Sequence, residues 1–154
     1  MKAKDLMSKS AIVVPLDMLI TDLAKLLREK RIGGVPVMNE KEKICGVVTV
    51  TDLFRVMDIM RKVGKRRKNW FFNFMSSKKT MLVKDIYTRR LISVVPETSV
   101  EDVVNLMIDR KIHTIPVMNK EQTELYGVIG RHDVTAAALG ITRAAQKEFA
   151  SRHH

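Results

Sequence analysis

One cysteine, Cys45, stands in a chain of 154 residues, which excludes an intramolecular disulfide framework and suits a reducing compartment. Flanked by Ile44 and Gly46, its thiol reads as a small buried side chain rather than a nucleophile or redox sensor. No apolar run approaches the roughly 20 residues a membrane-spanning helix needs. The first residues, MKAKDLMSKS, lack the apolar core of a signal peptide, so a cytoplasmic protein with no transmembrane segment is expected. Signatures of catalysis are missing too: no serine elbow with supporting His and Asp, no Cys/His set at metal spacing, no Walker-type glycine loop and no acidic pair on one expected edge. His113 and His132 without a third ligand do not make a metal site. The terminal His153 and His154 are as compatible with a tag as with chemistry and are not counted. A non-enzyme that requires no cofactor is expected.

Aromatics are scarce, 5% of the chain, and acids fall short of bases, with 17 Asp and Glu against 28 Lys and Arg for a net charge of +11. Neither is spread evenly. Residues 61–80, RKVGKRRKNWFFNFMSSKKT, hold eight Lys or Arg and no acid, together with Trp70, Phe71, Phe72 and Phe74, four of the eight aromatics. Cations neutralise phosphates and exposed rings stack on unpaired bases, so single-stranded nucleic acid fits this composition. An anionic membrane surface fits it as well. A third reading buries the rings against a second copy of the chain or a partner and leaves the charges solvated.

What is present is a hydrophobic content of 45%, enough for a real core, and an internal echo. GGVPVMN around Pro36 returns as HTIPVMN around Pro116. Across the same offset Ile20, Leu23, Ala24 and Leu27 recur as Val100, Val103, Val104 and Met107, each set apolar with the spacing of a half-buried helix. KDLM at Lys4–Met7 matches KDIY at Lys84–Tyr87, and ICGVVTVTDLF matches LYGVIGRHDVT, pairing Gly46 with Gly127 and Asp52 with Asp133. IVVP ending at Pro15 parallels SVVP ending at Pro96, one residue out of step. The chain is a duplication.

Each copy reads as strand, helix, strand, strand, helix. An extended segment meets a proline and a helix follows, capped by Asp17 in the first copy and by a Thr98–Glu101 capping box in the second, running to about Lys30 and Arg110. Two apolar runs separated by charged turns follow, and the second run ends at an Asp that opens another helix, Leu53 to about Met60 or Val134 to about Leu139. Residues 1–60 form repeat one, 61–80 the basic and aromatic insert, 81–140 repeat two and 141–154 a helical tail. One unit of roughly sixty residues is too small to close a core alone. An α/β pseudo-dimer of two β-α-β-β-α repeats, with a cleft on the two-fold axis, is the expected architecture.

The element order, GVVTVTD and the apolar-Pro-Val phrase together resemble the CBS domain, and two copies resemble the CBS pair or Bateman module. The resemblance covers residues 1–60 and 80–140. It implies a cleft that binds adenine nucleotides or other adenosyl ligands, including S-adenosylmethionine, and a role in sensing them and regulating a partner protein, here unidentified. Gly46, Thr49, Thr51 and Asp52 fit the family's strand-end motif in full. A carboxylate accepts two hydrogen bonds from vicinal ribose hydroxyls, and backbone amides at a helix start favour an anion; the same residues also read as an ordinary helix cap. The second copy departs from the motif, with Gly130 for the first hydroxyl and His132 for the second, while Asp133 is kept and Arg131 adds charge. Resemblance to the nucleotide-sensing subunit of AMP-activated protein kinase implies that His113, Thr114 and His132 face phosphates. Val13, Val14 and Val94, with Val35–Pro36 and Ile115–Pro116 opposite, are the candidate walls for adenine.

Because CBS pairs associate into disc-like dimers, a homodimer is expected and burial of the insert's rings is preferred over nucleic-acid or membrane-surface binding, which remains the alternative function. Of the two carboxylates, Asp52 with its hydroxyls is expected to contribute more to adenine-nucleotide affinity than Asp133.

Overall fold

The apolar spacing at Ile20, Leu23 and Leu27 winds Ile20–Lys30 into a helix whose buried stripe is those three side chains. In the computed structural model, which describes residues 1–9, 11–63, 69–77, 80–141 and 143–153, this helix is α2. Before it come α1 (Ala3–Leu6) and the short strand β1 (Val14–Pro15); after it come β2 (Gly34–Met38), β3 (Ile44–Thr49), α3 (Val50–Val63) and α4 (Trp70–Ser77). A 3-10 turn at Val83–Asp85 opens the second half, which continues as α5 (Val100–Arg110), β4 (Thr114–Met118), β5 (Leu125–Gly130), α6 (Arg131–Ala138) and a final α7 (Arg143–Arg152). None of the helices among the described residues is long and apolar enough to cross a membrane.

β1 runs parallel to β2, and β2 antiparallel to β3. β4 and β5 repeat the antiparallel pair, with the same bulge before the strand's last methionine. The sequence predicts three strands in each half, but in the second the leading strand contracts to one parallel bridge between Val94 and Val117. The one-residue slip is the reason. Val14 pairs with Val37 as Val94 pairs with Val117, and the additional Val95 then intervenes before Pro96, so the chain leaves the sheet where β1 continues into Pro15. The architecture is an α/β pair of β-α-β-β-α repeats about a pseudo-two-fold axis.

Neither core is closed by one half. The first gathers Val14, Leu23, Leu27, Val35, Val37, Val48 and Val56 and is completed by Val83, Ile86 and Tyr87 from the opening segment of the second half. The second gathers Val94, Val103, Met107, Ile115, Val117 and Ile129 and is completed by Ala3, Leu6 and Met7. At about 1.5–3 kcal/mol for each large apolar side chain fully buried, these exchanged segments contribute substantially to stability. The backbone follows the same exchange: Val83 N–H donates to Met18 O (2.8 Å) and Ala3 N–H to Thr98 O (2.7 Å). Val47 and Thr88 bond each other in both directions, as do Ser8 and Val128.

This exchange displaces the helix caps that the sequence suggests. The cap position of α2 is Leu19, which has no side-chain bond, and Ile20 N–H is met instead by Met81 O at 3.0 Å. In α5 the cap is Ser99, accepting from Asp102 N–H at 3.1 Å, while Thr98 accepts from Val95 N–H at 3.2 Å and Val100 N–H reaches Met1 O at 3.1 Å. The unpaired N–H groups of a helix start need acceptors, and here a crossing chain supplies carbonyls to both helices. The helices opened by Asp52 and Asp133 begin slightly earlier than expected, at Val50 and Arg131, because each Asp bonds back to the residue before the helix: Thr49 N–H and Gly130 N–H, both at 2.8 Å.

Gly46 and Gly127 lie where the exchanged segments pass. A Cβ on Gly46 would stand 2.2 Å from Thr88 O, and one on Gly127 would stand 2.7 Å from Ser8 O. Gly46→Ala should therefore cost about 1–3 kcal/mol, read as a lower urea midpoint with unchanged slope; an unaltered midpoint would show that the segment simply moves aside. At the other crossing, Glu97 takes hydrogen bonds from Lys2 and Lys4, the latter at 2.9 Å, and these hold its carboxyl down from 4.5 to about 2. A depressed carboxyl stabilises the fold above its unfolded value and loses that contribution as the folded value is passed. Amide-exchange protection of Ala3 and Lys4 should accordingly decline as pH falls from about 4.5 towards 2, and Glu97→Gln should abolish this decline.

Candidate ligand-binding site

Side chains alternate along β2, so with Val35 and Val37 in the core, Gly34, Pro36 and Met38 take the other face; β4 likewise puts Thr114, Pro116 and Met118 opposite Ile115 and Val117. These two faces meet. A Cβ on Gly34 would lie 2.7 Å from Thr114 Oγ1 and 2.7 Å from Thr49 Cγ2, so Thr114, buried, fills the room that Gly34 leaves at the junction of the halves. The residue before each strand closes the next helix: Gly33 O accepts from Val50 N–H (2.9 Å) and His113 O from Arg131 N–H (3.1 Å). The strand ends, helix starts and Asp carboxylates are thus brought together in each half.

The two carboxylates sit differently. Asp52 is 2% exposed. Its Oδ2 accepts from Thr49 N–H (2.8 Å) and from Thr49 Oγ1 (3.2 Å); its Oδ1 accepts from Thr88 Oγ1 (3.3 Å) and pairs with Arg55 Nη1 at 3.0 Å. Asp133 is half-buried, and among the described residues its one hydrogen bond is the donation from Gly130 N–H to Oδ2. A Cβ on Gly130 would make only ordinary contacts, with Asp133 Oδ2 at 3.6 Å and His113 O at 4.0 Å.

The remaining predicted residues divide by location. Val14 and Val35 lie in the first core, Val94 and Ile115 in the second, so these four point away from the junction. Val13 is half-buried, and Pro36 and Pro116 are buried on the face between the halves. Thr51 and His132 are exposed on the first turns of α3 and α6. His113 and Arg131, also exposed, line a hollow of about 340 Å³ between α5 and α6 with Val104, Met107, Ile108, Lys111, Val134 and Thr135. Asp133 does not line this hollow. A second, of about 270 Å³, contains Asp52 and Arg55 with Val56, Ile59, Met60, Met81, Asp85 and Ile86. Neither joins Asp52 to His113.

Sequence reasoning passed over Arg55, Thr88 and Lys111. Arg55 stands three residues after Asp52 on a helix, a spacing that brings opposite charges together. Thr88 is 36 residues from Asp52 and has no local signal. Within the insert, Lys65, Arg66, Arg67 and Lys68 lie outside the described residues. α4 inserts Phe74 into the first core, while Phe71, Phe72 and Met75 are exposed and Trp70 meets Phe71 edge-on at 5.6 Å. Burial pushes the Cys45 thiol upward. No group of three His, Cys, Asp or Glu capable of holding a metal is found among the described residues.

Known proteins share this fold. The chain is 26% identical to an uncharacterized protein of Methanocaldococcus jannaschii across 90% of its own length and 92% of the other's. It is 29% identical to the chloroplastic CBS domain-containing protein CBSX1 of Arabidopsis thaliana, over 83% of this chain and 59% of that protein. The structure of CBSX2 in complex with AMP superposes with a TM-score of 0.67 at 28% identity, covering 92% of this chain and 98% of that one. CBS domain matches span residues 3–61 and 83–140, and with two such repeats exchanging their leading segments, the chain belongs to the CBS domain family as a tandem pair.

Proposed function

We propose that this chain is a non-catalytic cytoplasmic regulatory module that takes up an adenosine-containing ligand where its halves meet and passes its occupancy to a partner protein. The working division is repeat one at 1–60, the insert at 61–80, repeat two at 81–140 and the tail at 141–154. The observation that carries the reading is a carboxylate at the head of each half's second helix, next to the inter-repeat face, in a chain 28% identical to a protein that has been seen with AMP. A carboxylate suits the ribose diol, Arg131 and Lys111 offer cations to phosphate, and His113 a ring N–H. Pro36, Pro116 and Val13 are the remaining apolar surfaces for adenine. The ligand is an effector, not a cofactor for chemistry.

Self-association completes the proposal. Val50 and Phe54, 68% exposed, stand one helical turn apart on the outer side of α3, and Phe71, Phe72 and Met75 do so on the neighbouring α4. Their patches are best covered by a second copy.

AMP, ADP, ATP, adenosine and S-adenosylmethionine should be screened by thermal shift. A true ligand at about a hundredfold over its Kd should raise the melting temperature by roughly 5–10 °C, and a flat response to all five would defeat the adenosyl reading. Light scattering should give a dimer mass for the wild type and a monomer mass for Phe54→Glu; a wild-type monomer at high concentration would remove the dimer.

A further inference from the structure

The repeats have kept the same carboxylate and surrounded it differently. A carboxylate has about four lone-pair sites. Around Asp52 they are met from within the chain, by Thr49 N–H, Thr49 Oγ1, Thr88 Oγ1 and Arg55 Nη1. At the matching positions of the second half stand Gly130, which has no hydroxyl, Ala136, which has no charge, and Ser8, which makes no hydrogen bond to Asp133. Only the backbone donation survives, from Gly130. Asp52 is 2% exposed and bonded to a segment 36 residues away; Asp133 is half-buried with its Oδ1 unengaged among the described residues.

We infer that the two carboxylates have divided their work: Asp52 is a rivet that fastens the exchanged segment at Thr88 to the first half, and Asp133 alone accepts the ribose diol, so that each chain binds one adenosyl ligand, in its second half. The inference rests on the adenosyl reading for its second part only. To admit a ribose at Asp52, the Arg55 and Thr88 donations would both have to break at a carboxylate that is 2% exposed, and the segment that closes the first core would lose the side-chain bond that supplements the backbone pairing of Thr88 with Val47. At Asp133 nothing has to break, since its Oδ1 takes no hydrogen bond among the described residues, and Gly130 puts no side chain over it. This reverses the order of importance that the hydroxyls Thr49 and Thr51 suggest. In the first half Thr49 is spent on the carboxylate itself, and Thr51 is exposed on the helix without joining the network.

The test uses the full chain and AMP as probe. Calorimetry should give one AMP per wild-type chain, and Asp133→Asn, which keeps an acceptor for Gly130 N–H, should weaken binding roughly ten- to hundredfold. Thr88→Val should leave the affinity within about threefold while lowering the ligand-free melting temperature by roughly 2–5 °C, with Ser8→Ala as the control expected to melt like wild type. Two AMP per chain, or binding that survives Asp133→Asn, would overturn the one-site assignment. Equal ligand-free melting of Thr88→Val and Ser8→Ala would overturn the rivet. Absence of AMP heat in the wild type would defeat the ribose role of Asp133 together with the adenosyl reading, and the melting comparison would still decide the rivet by itself.

Discussion

Each half of this protein depends on the other for a lid. The residues that begin one repeat complete the hydrophobic core of the other, and their carbonyls satisfy the first N–H groups of its first helix. This single constraint explains features that otherwise look unrelated. Gly46 and Gly127 are free of side chains because a backbone carbonyl passes within van der Waals reach. Helix α2 manages without a side-chain cap because Met81 provides an acceptor. The short 3-10 turn at Val83–Asp85 is as important to the first core as its own strands, since Val83 is fully buried there. The site inherits this dependence, for Thr88 reaches Asp52 only because the exchanged segment is held against β3.

The duplication was legible because both periodicities survived: the helical spacing of Ile20, Leu23 and Leu27 is repeated by Val103 and Met107, and the Pro-Val-Met-Asn phrase marks the same strand twice. Helix ends near Lys30 and Arg110 were legible for the same reason, and both repeats turn there through a left-handed residue, Arg31 and Lys111. The caps were not. Asp17 and Thr98 are good local candidates, but capping by a distant carbonyl leaves no mark on nearby residues. The contraction of the second leading strand was half visible, as a one-residue slip before Pro96 whose effect on pairing only the register reveals.

At the site, local motifs identified the carboxylates and their flanking hydroxyls but not the state of those groups. Thr49 and Asp52 are close in sequence and bond each other, which is why the same letters serve equally as a cap and as a sugar-binding motif. Deciding between these uses requires the donors on the other oxygen, and one of them comes from another part of the chain. The apolar candidates failed to separate for a related reason. Strand alternation splits Val35 from Pro36 and Ile115 from Pro116, so half of each pair belongs to a core and half to the inter-repeat face.

The exchange of leading segments also bears on how such a chain could have arisen. A solitary repeat would have had an uncovered core and an orphaned amide at its helix start, and its own leading segment would have been free to reach only another molecule. Its natural companion is an identical copy, trading segments by the same two-fold operation. Fusion of two such copies would convert an intermolecular trade into an intramolecular one, freeing each half to drift. Gly34 and Thr114, which now face each other across the axis, are what that freedom looks like: positions that strict symmetry would have forced to be identical have become a socket and a plug.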